Sequence, residues 1–256
     1  MKTKNSSLPI WSNIVAFVLT VIVNALAGGT KLVGGVNTAQ VSNANPTLIT
    51  PPGYVFSIWG VIYLLLGVFV VFQALSSQRG KDYQKKIGWL FVLSSIFNIL
   101  WIFLWQNRLI SISVVVIFLL LATLIMIYRR IGVGTRKLKL SEKLAVHVPF
   151  SAYLGWITIA SIANVSVALV SIGWNGFGIV PELWASLIII IASLIGLLVV
   201  VRGRDIAYGL VFVWAFAGIA IKQGANPVVS ALTGAGAIII LMALIAVAIL
   251  SRHKKR

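Results

Sequence analysis

The sequence contains no cysteine, only two histidines and only four acidic residues in 256. Without cysteine there is no disulfide framework, no thiolate metal site and no thiol chemistry. His147 and His253 alone do not make a metal centre, and His147 reads as a residue of the cytoplasmic interface. The carboxylates, Asp82, Glu142, Glu182 and Asp205, all fall at or near the ends of apolar runs. The hydrocarbon middle, where proton-coupled carriers keep an acidic group, therefore has none. There is no paired carboxylate, no Ser/His/Asp set and no phosphate-binding glycine loop, and Gly34-Gly35 reads as a flexible turn. Hydrolytic and metal-dependent catalysis has no candidate residues, so the expectation is a non-enzyme without a cofactor.

Charge is scarce as well. Charged residues make up 10% of the chain, against about 25% in soluble domains. Apolar residues make up 60% and mean hydropathy is +1.04. A spanning helix needs about 20 apolar residues. Eight runs qualify, at approximately 11–31, 53–75, 87–105, 109–128, 144–170, 181–201, 206–222 and 229–250. The fold class expected is all-α, a polytopic membrane bundle of about eight transmembrane helices.

The net charge of +17 does not indicate nucleic acid, because the basic residues sit in short clusters between apolar runs. Alternate connections hold Lys2 and Lys4; Arg79, Lys81, Lys85 and Lys86; Arg129, Arg130, Arg136, Lys137, Lys139 and Lys143; Arg202 and Arg204; and Arg252, Lys254, Lys255 and Arg256. The other side has only Lys31, Arg108 and Lys222. By the positive-inside rule this 18-to-3 division puts both termini in the cytoplasm. A bacterial plasma membrane is the expected location, with the basic tail facing anionic headgroups. Lys2, Lys4 and Ala25-Leu26-Ala27 imitate a secretory signal. The apolar stretch is long for one, so the first span is expected to be retained.

Polar residues inside spans are costly and therefore informative. Asn24, Asn98 and Asn164 lie in the first, third and fifth runs. Counted from the non-cytoplasmic span ends, Trp59 lies about 9 Å deep, Tyr63 about 15 Å, Trp101 about 8 Å, Asn98 about 12 Å and Asn164 about 10 Å. Aromatics and amides at one level suit a flat, mostly apolar ligand. Interhelical packing is the competing reading, and for Tyr153, Trp156 and Trp214 it is the preferred one. Trp11, Trp89, Trp174 and Trp184 read as interfacial belt residues. Pro149 should kink the fifth span or free carbonyls there. Pro51-Pro52 closes the long first connection and starts the second span. Small residues at Ala25, Ala27, Gly28 and Gly29, and at Ala231, Gly234 and Gly236, permit close contact within the bundle or between subunits of a homodimer.

The stretch Pro51-Pro52-Gly53-Tyr54-Val55-Phe56-Ser57-Ile58-Trp59, continuing to Tyr63, resembles the P-P-x-x-V-F-x-x-W-x-x-x-Y signature of the tryptophan-rich sensory protein family, also called the TspO, translocator protein or peripheral benzodiazepine receptor family. Asn98-Ile99-Leu100-Trp101 resembles its third-helix N-x-x-W. Pro149-Phe150, Trp156, Ala160 and Asn164 resemble its fifth-helix pattern. The resemblance covers about residues 11–170. It implies a five-helix bundle in which a first-loop lid covers a pocket for porphyrins, sterol-like molecules and synthetic ligands. By matching position, Trp59, Tyr63, Asn98, Trp101, Trp156 and Asn164 would line or support that pocket, and Lys31 to Thr50, closed by Pro51 and Pro52, would form the lid. The division expected is 1–175, TspO-like, and 176–256, three further helices with a basic tail. The lid holds no Trp or Arg, so a porphyrin carboxylate would find only Lys31, and an uncharged apolar ligand or lipid also fits.

The leading expectation is a membrane protein binding a tetrapyrrole, sterol-like molecule or lipid, in a sensory or transport-associated role. The alternatives are a permease component without ion coupling and a light-dependent porphyrin-degrading enzyme using Trp59 and Trp156. Membrane lipids and a hydrophobic small molecule are the expected partners.

Overall fold

The structure is a computed structural model that describes residues 8–30, 32–135 and 138–253. Lys2, Lys4, Lys31, Arg136, Lys137 and Lys254 to Arg256 lie outside the described residues. Among the described residues all regular structure is helical. The long helices are α1 (Leu8–Gly29), α2 (Ile58–Ala74), α3 (Leu90–Gln106), α4 (Ile110–Ile131), α5 (Val148–Ser171), α6 (Pro181–Gly203), α7 (Ile206–Lys222) and α8 (Pro227–His253). Among the described residues six apolar helical stretches are at least 18 residues long, one of them being α2 with the 3-10 turn Gly53–Ser57 before it. α3 and α7 are apolar and have 17 residues each, the short end of the spanning range of about 17–25. The chain is thus a polytopic helical membrane protein.

The helix ends follow local chemistry. Pro181 opens α6 with Glu182 in the first turn, where a missing N–H costs nothing and a carboxylate meets the positive helix end. Asp205 caps α7 by accepting from Tyr208 N at 3.1 Å. Asn226 does the same for α8, accepting from Val229 N at 3.2 Å. The third run, expected from residue 87, starts later as α3. Residues Asp82–Ile87 form a separate short helix, and Gly88, at φ +47, turns the chain away from helical geometry. Before Pro149 the backbone widens into a π turn, Lys143–His147. Proline cannot donate to the carbonyl four residues back, and a π register bypasses that lost bond. His147, expected at the interface, is buried there at 6% exposure.

The chain forms two compact units, residues 1–38 with 58–154, and residues 39–57 with 155–256. In the first, α1 packs on α2 and α3, and α3 on α4. Phe69, Phe91 and Phe150 meet at centroid distances of 4.9–6.0 Å and fill its core. In the second, α6, α7 and α8 pack on one another. Gly196 faces Phe212 and Gly236 faces Phe216, each small residue receiving a ring. Tyr208 donates to Thr158 at 3.2 Å. Hydroxyls inside the helices bond back to their own carbonyls, as Thr20 to Ala16, Ser161 to Ile157 and Thr233 to Val229, which satisfies them without water.

Candidate ligand-binding site

The first unit gathers aromatic rings around a buried amide. On α2, Trp59 and Tyr63 are one turn apart and stack at 5.4 Å with a 17° interplanar angle. On α3, Asn98, Trp101 and Trp105 share a face. Trp101 stacks on Trp105 at 5.5 Å and lies 6.4 Å from Trp59. Tyr153 of α5 meets Trp59 edge-on at 6.0 Å. Such offset and edge contacts suit the ring quadrupoles, at about 0.5–1.5 kcal/mol each beyond burial.

Through these rings runs a polar line. Asn24 Nδ2 donates to Asn98 Oδ1 at 2.7 Å and to its own helix at Thr20 O, 2.9 Å. Asn98 Nδ2 donates to the Tyr153 hydroxyl at 3.0 Å. Asn98 has no exposed surface, and Trp59 and Tyr63 are half-buried. The Tyr63 hydroxyl is buried beside the Asn98 amide.

The end of α3 is also tied down. Trp105 Nε1 donates to Thr38 O at 3.1 Å, and Gln106 Nε2 donates to Ala27 O at 2.7 Å. Gly34, at φ +60, lies against the Gln106 carbonyl so closely that a Cβ would collide with it. The turn read as merely flexible is a close approach that requires glycine.

The family model for TSPO-like protein matches residues 10–247, from α1 into α8. The chain belongs to the TSPO-like protein family. No curated protein and no solved structure matches it. The match includes the last three helices, so in this TSPO-like protein they fall within the family pattern.

The remaining candidates of this TSPO-like protein lie in the second unit. Pro51 is buried and Pro52 accepts from Val55 N at 3.0 Å, starting the 3-10 turn. Trp156 is 1% exposed and meets Phe56 edge-on at 5.8 Å. Asn164 is buried. Along α5 it follows Tyr153 by about 16 Å of rise, and it is Tyr153 whose hydroxyl meets Asn98. Sequence reasoning took Tyr153 for packing and left Asn24 without a partner. The available signal was the pair Asn24 and Asn98, two amides within apolar runs that must each find a hydrogen bond.

Proposed function

We propose that this TSPO-like membrane protein binds a flat hydrophobic ligand, a tetrapyrrole, sterol-like molecule or lipid, against the Trp59, Tyr63 and Trp101 rings. The observation that carries this reading is the ring cluster around Asn98, with the Tyr63 hydroxyl buried beside it. In the same reading Pro51, Pro52, Trp156 and Asn164 support ligand binding, residues 1–175 form the ligand-binding part and 176–256 extend it. Both termini lie in the cytoplasm of a bacterial cell, as the division of basic residues supports. Gly28 and Gly29, with no atom within 4 Å of where a Cβ would stand, leave an open small-residue surface on which two copies would pair.

The test is tryptophan quenching of purified protein titrated with protoporphyrin, and with an uncharged sterol in competition. A soluble tryptophan analogue corrects for inner-filter absorption. Saturable quenching is expected, with affinity about tenfold lower in Trp59→Ala, the effect typical of an aromatic hot spot. Quenching that never saturates, unchanged by Trp59→Ala and untouched by the sterol, would overturn the proposal. Uptake of the ligand into liposomes without an ion gradient would reassign the role from sensing to facilitated movement.

A further inference from the structure

Trp214, Gly218 and Lys222 recur every fourth position of α7 and so form one stripe. Within the second unit that stripe meets the stretch Thr50–Phe56 at three successive turns. Trp214 Nε1 donates to the Val55 carbonyl at 3.1 Å, and its ring takes Tyr54 edge-on at 5.9 Å. One turn on, Gly218 leaves the space that Val55 occupies. A Cβ there would collide with Val55 Cγ2 and stand 3.4 Å from Pro52 Cδ. At the next turn Lys222 Nζ donates to Thr50 O at 3.1 Å and Thr50 Oγ1 at 3.4 Å. Val55 is fully buried and Thr50 is 1% exposed.

Two of the three contacts are hydrogen bonds to backbone carbonyls. The Val55 carbonyl sits in the 3-10 turn that runs directly into α2, and Trp214 adds a donor to it from α7. Lys222 donates to the carbonyl that precedes the two prolines. An indole N–H, a missing side chain and an ammonium thus fit one short segment, in register.

We infer that α7 is a latch for the first long connection, holding Thr50–Phe56 closed through Trp214, Gly218 and Lys222. Ser57 passes directly into Ile58 and Trp59, so the latched stretch is the covalent lead into the ring cluster. Release of the latch sets the rate of ligand exchange. This last step rests on the ligand-binding reading; the latch itself does not.

The chain has no cysteine, so Val55→Cys places its sole thiol at a fully buried position. Maleimide labelling of full-length protein in detergent, with no ligand present, reads opening of the latch. Labelling is expected to be slow in Val55→Cys. It should be about tenfold faster when Trp214→Phe is added, which keeps a ring and removes the donor, and similarly with Lys222→Met. Equal rates in all three would overturn the latch. Because Val55→Cys alters the residue packed on Gly218, hydrogen exchange of amides 53–57 is measured with Val55 intact. Faster exchange in Trp214→Phe supports the latch, and unchanged exchange overturns it. Protoporphyrin dissociation, followed by the porphyrin's own fluorescence, should quicken in Trp214→Phe. Faster labelling with unchanged dissociation overturns the exchange step alone. Absence of saturable porphyrin and sterol binding in the wild type overturns the ligand reading and leaves the labelling result standing.

Discussion

Replacing Gly34 with alanine is expected to destabilise the protein by about 2–4 kcal/mol, whereas the same change at Gly35 costs about 1 kcal/mol. Both glycines have left-handed backbones, with φ +60 and +73, so an added side chain is strained at either position. Their surroundings differ. A Cβ at Gly35 meets nothing within 4 Å, while one at Gly34 runs into the carbonyl carbon and oxygen of Gln106. Backbone cannot rotate out of the way as a flexible side chain can. Gln106 is itself fixed by its bond to Ala27 at 2.7 Å, and its neighbour Trp105 by the bond to Thr38. Thermal unfolding of the two variants in the same detergent checks this. Equal shifts at the two positions would mean that strain alone matters and that the contact with Gln106 contributes nothing.

The other large effect is expected at Asn98. Asn98→Ala should cost about 2–4 kcal/mol, combining a cavity with the loss of hydrogen bonds inside an apolar bundle. The substitution strips Tyr153 of the donor that reaches its hydroxyl and Asn24 of one of its two acceptors. Tyr153→Phe removes only one end of the line and should cost about 1 kcal/mol. A double-mutant cycle between the two positions should give a coupling of about 0.6 kcal/mol and no more than about 1.7, the average and the maximum measured for hydrogen bonds between membrane helices. A coupling of zero would show that Asn98 and Tyr153 are neighbours without being partners.

The helices were legible because bilayer thickness imposes apolar runs of one length, and because Pro181, Asp205 and Pro227 mark helix starts in the sequence itself. Counting depth from the span ends put Trp59, Trp101 and Asn98 at one level, and the rings of Trp59 and Trp101 lie 6.4 Å apart. The Asn98–Tyr153 bond was not legible. Depth counted from span ends assumes that every helix begins and ends at the membrane surface, and α5, at 24 residues with a π turn before it, is too long for that assumption. The role of Lys222 was hidden for a different reason. In a charge tally it is one of three basic residues on the sparsely charged side, yet its ammonium reaches Thr50 across 172 residues of chain. Trp214 reaches Val55 across 159. No local periodicity encodes such pairs, since each member satisfies its own helix pattern or turn without reference to the other.

The brevity of α3 and α7 has a consequence for the membrane around them. At 17 residues each rises about 26 Å, a few ångströms short of a hydrocarbon layer about 30 Å thick. Irregular backbone rests on both. The Gly34 turn sits on the end of α3, and Thr50 to Val55 descends two turns along α7 from Lys222 to Trp214. Such backbone survives at that depth only where protein covers it. Longer acyl chains would press lipid farther over these loops, and shorter ones would hand them to the headgroups. Acyl-chain length in the host membrane would thus change how much lipid lies against these two segments of the first connection.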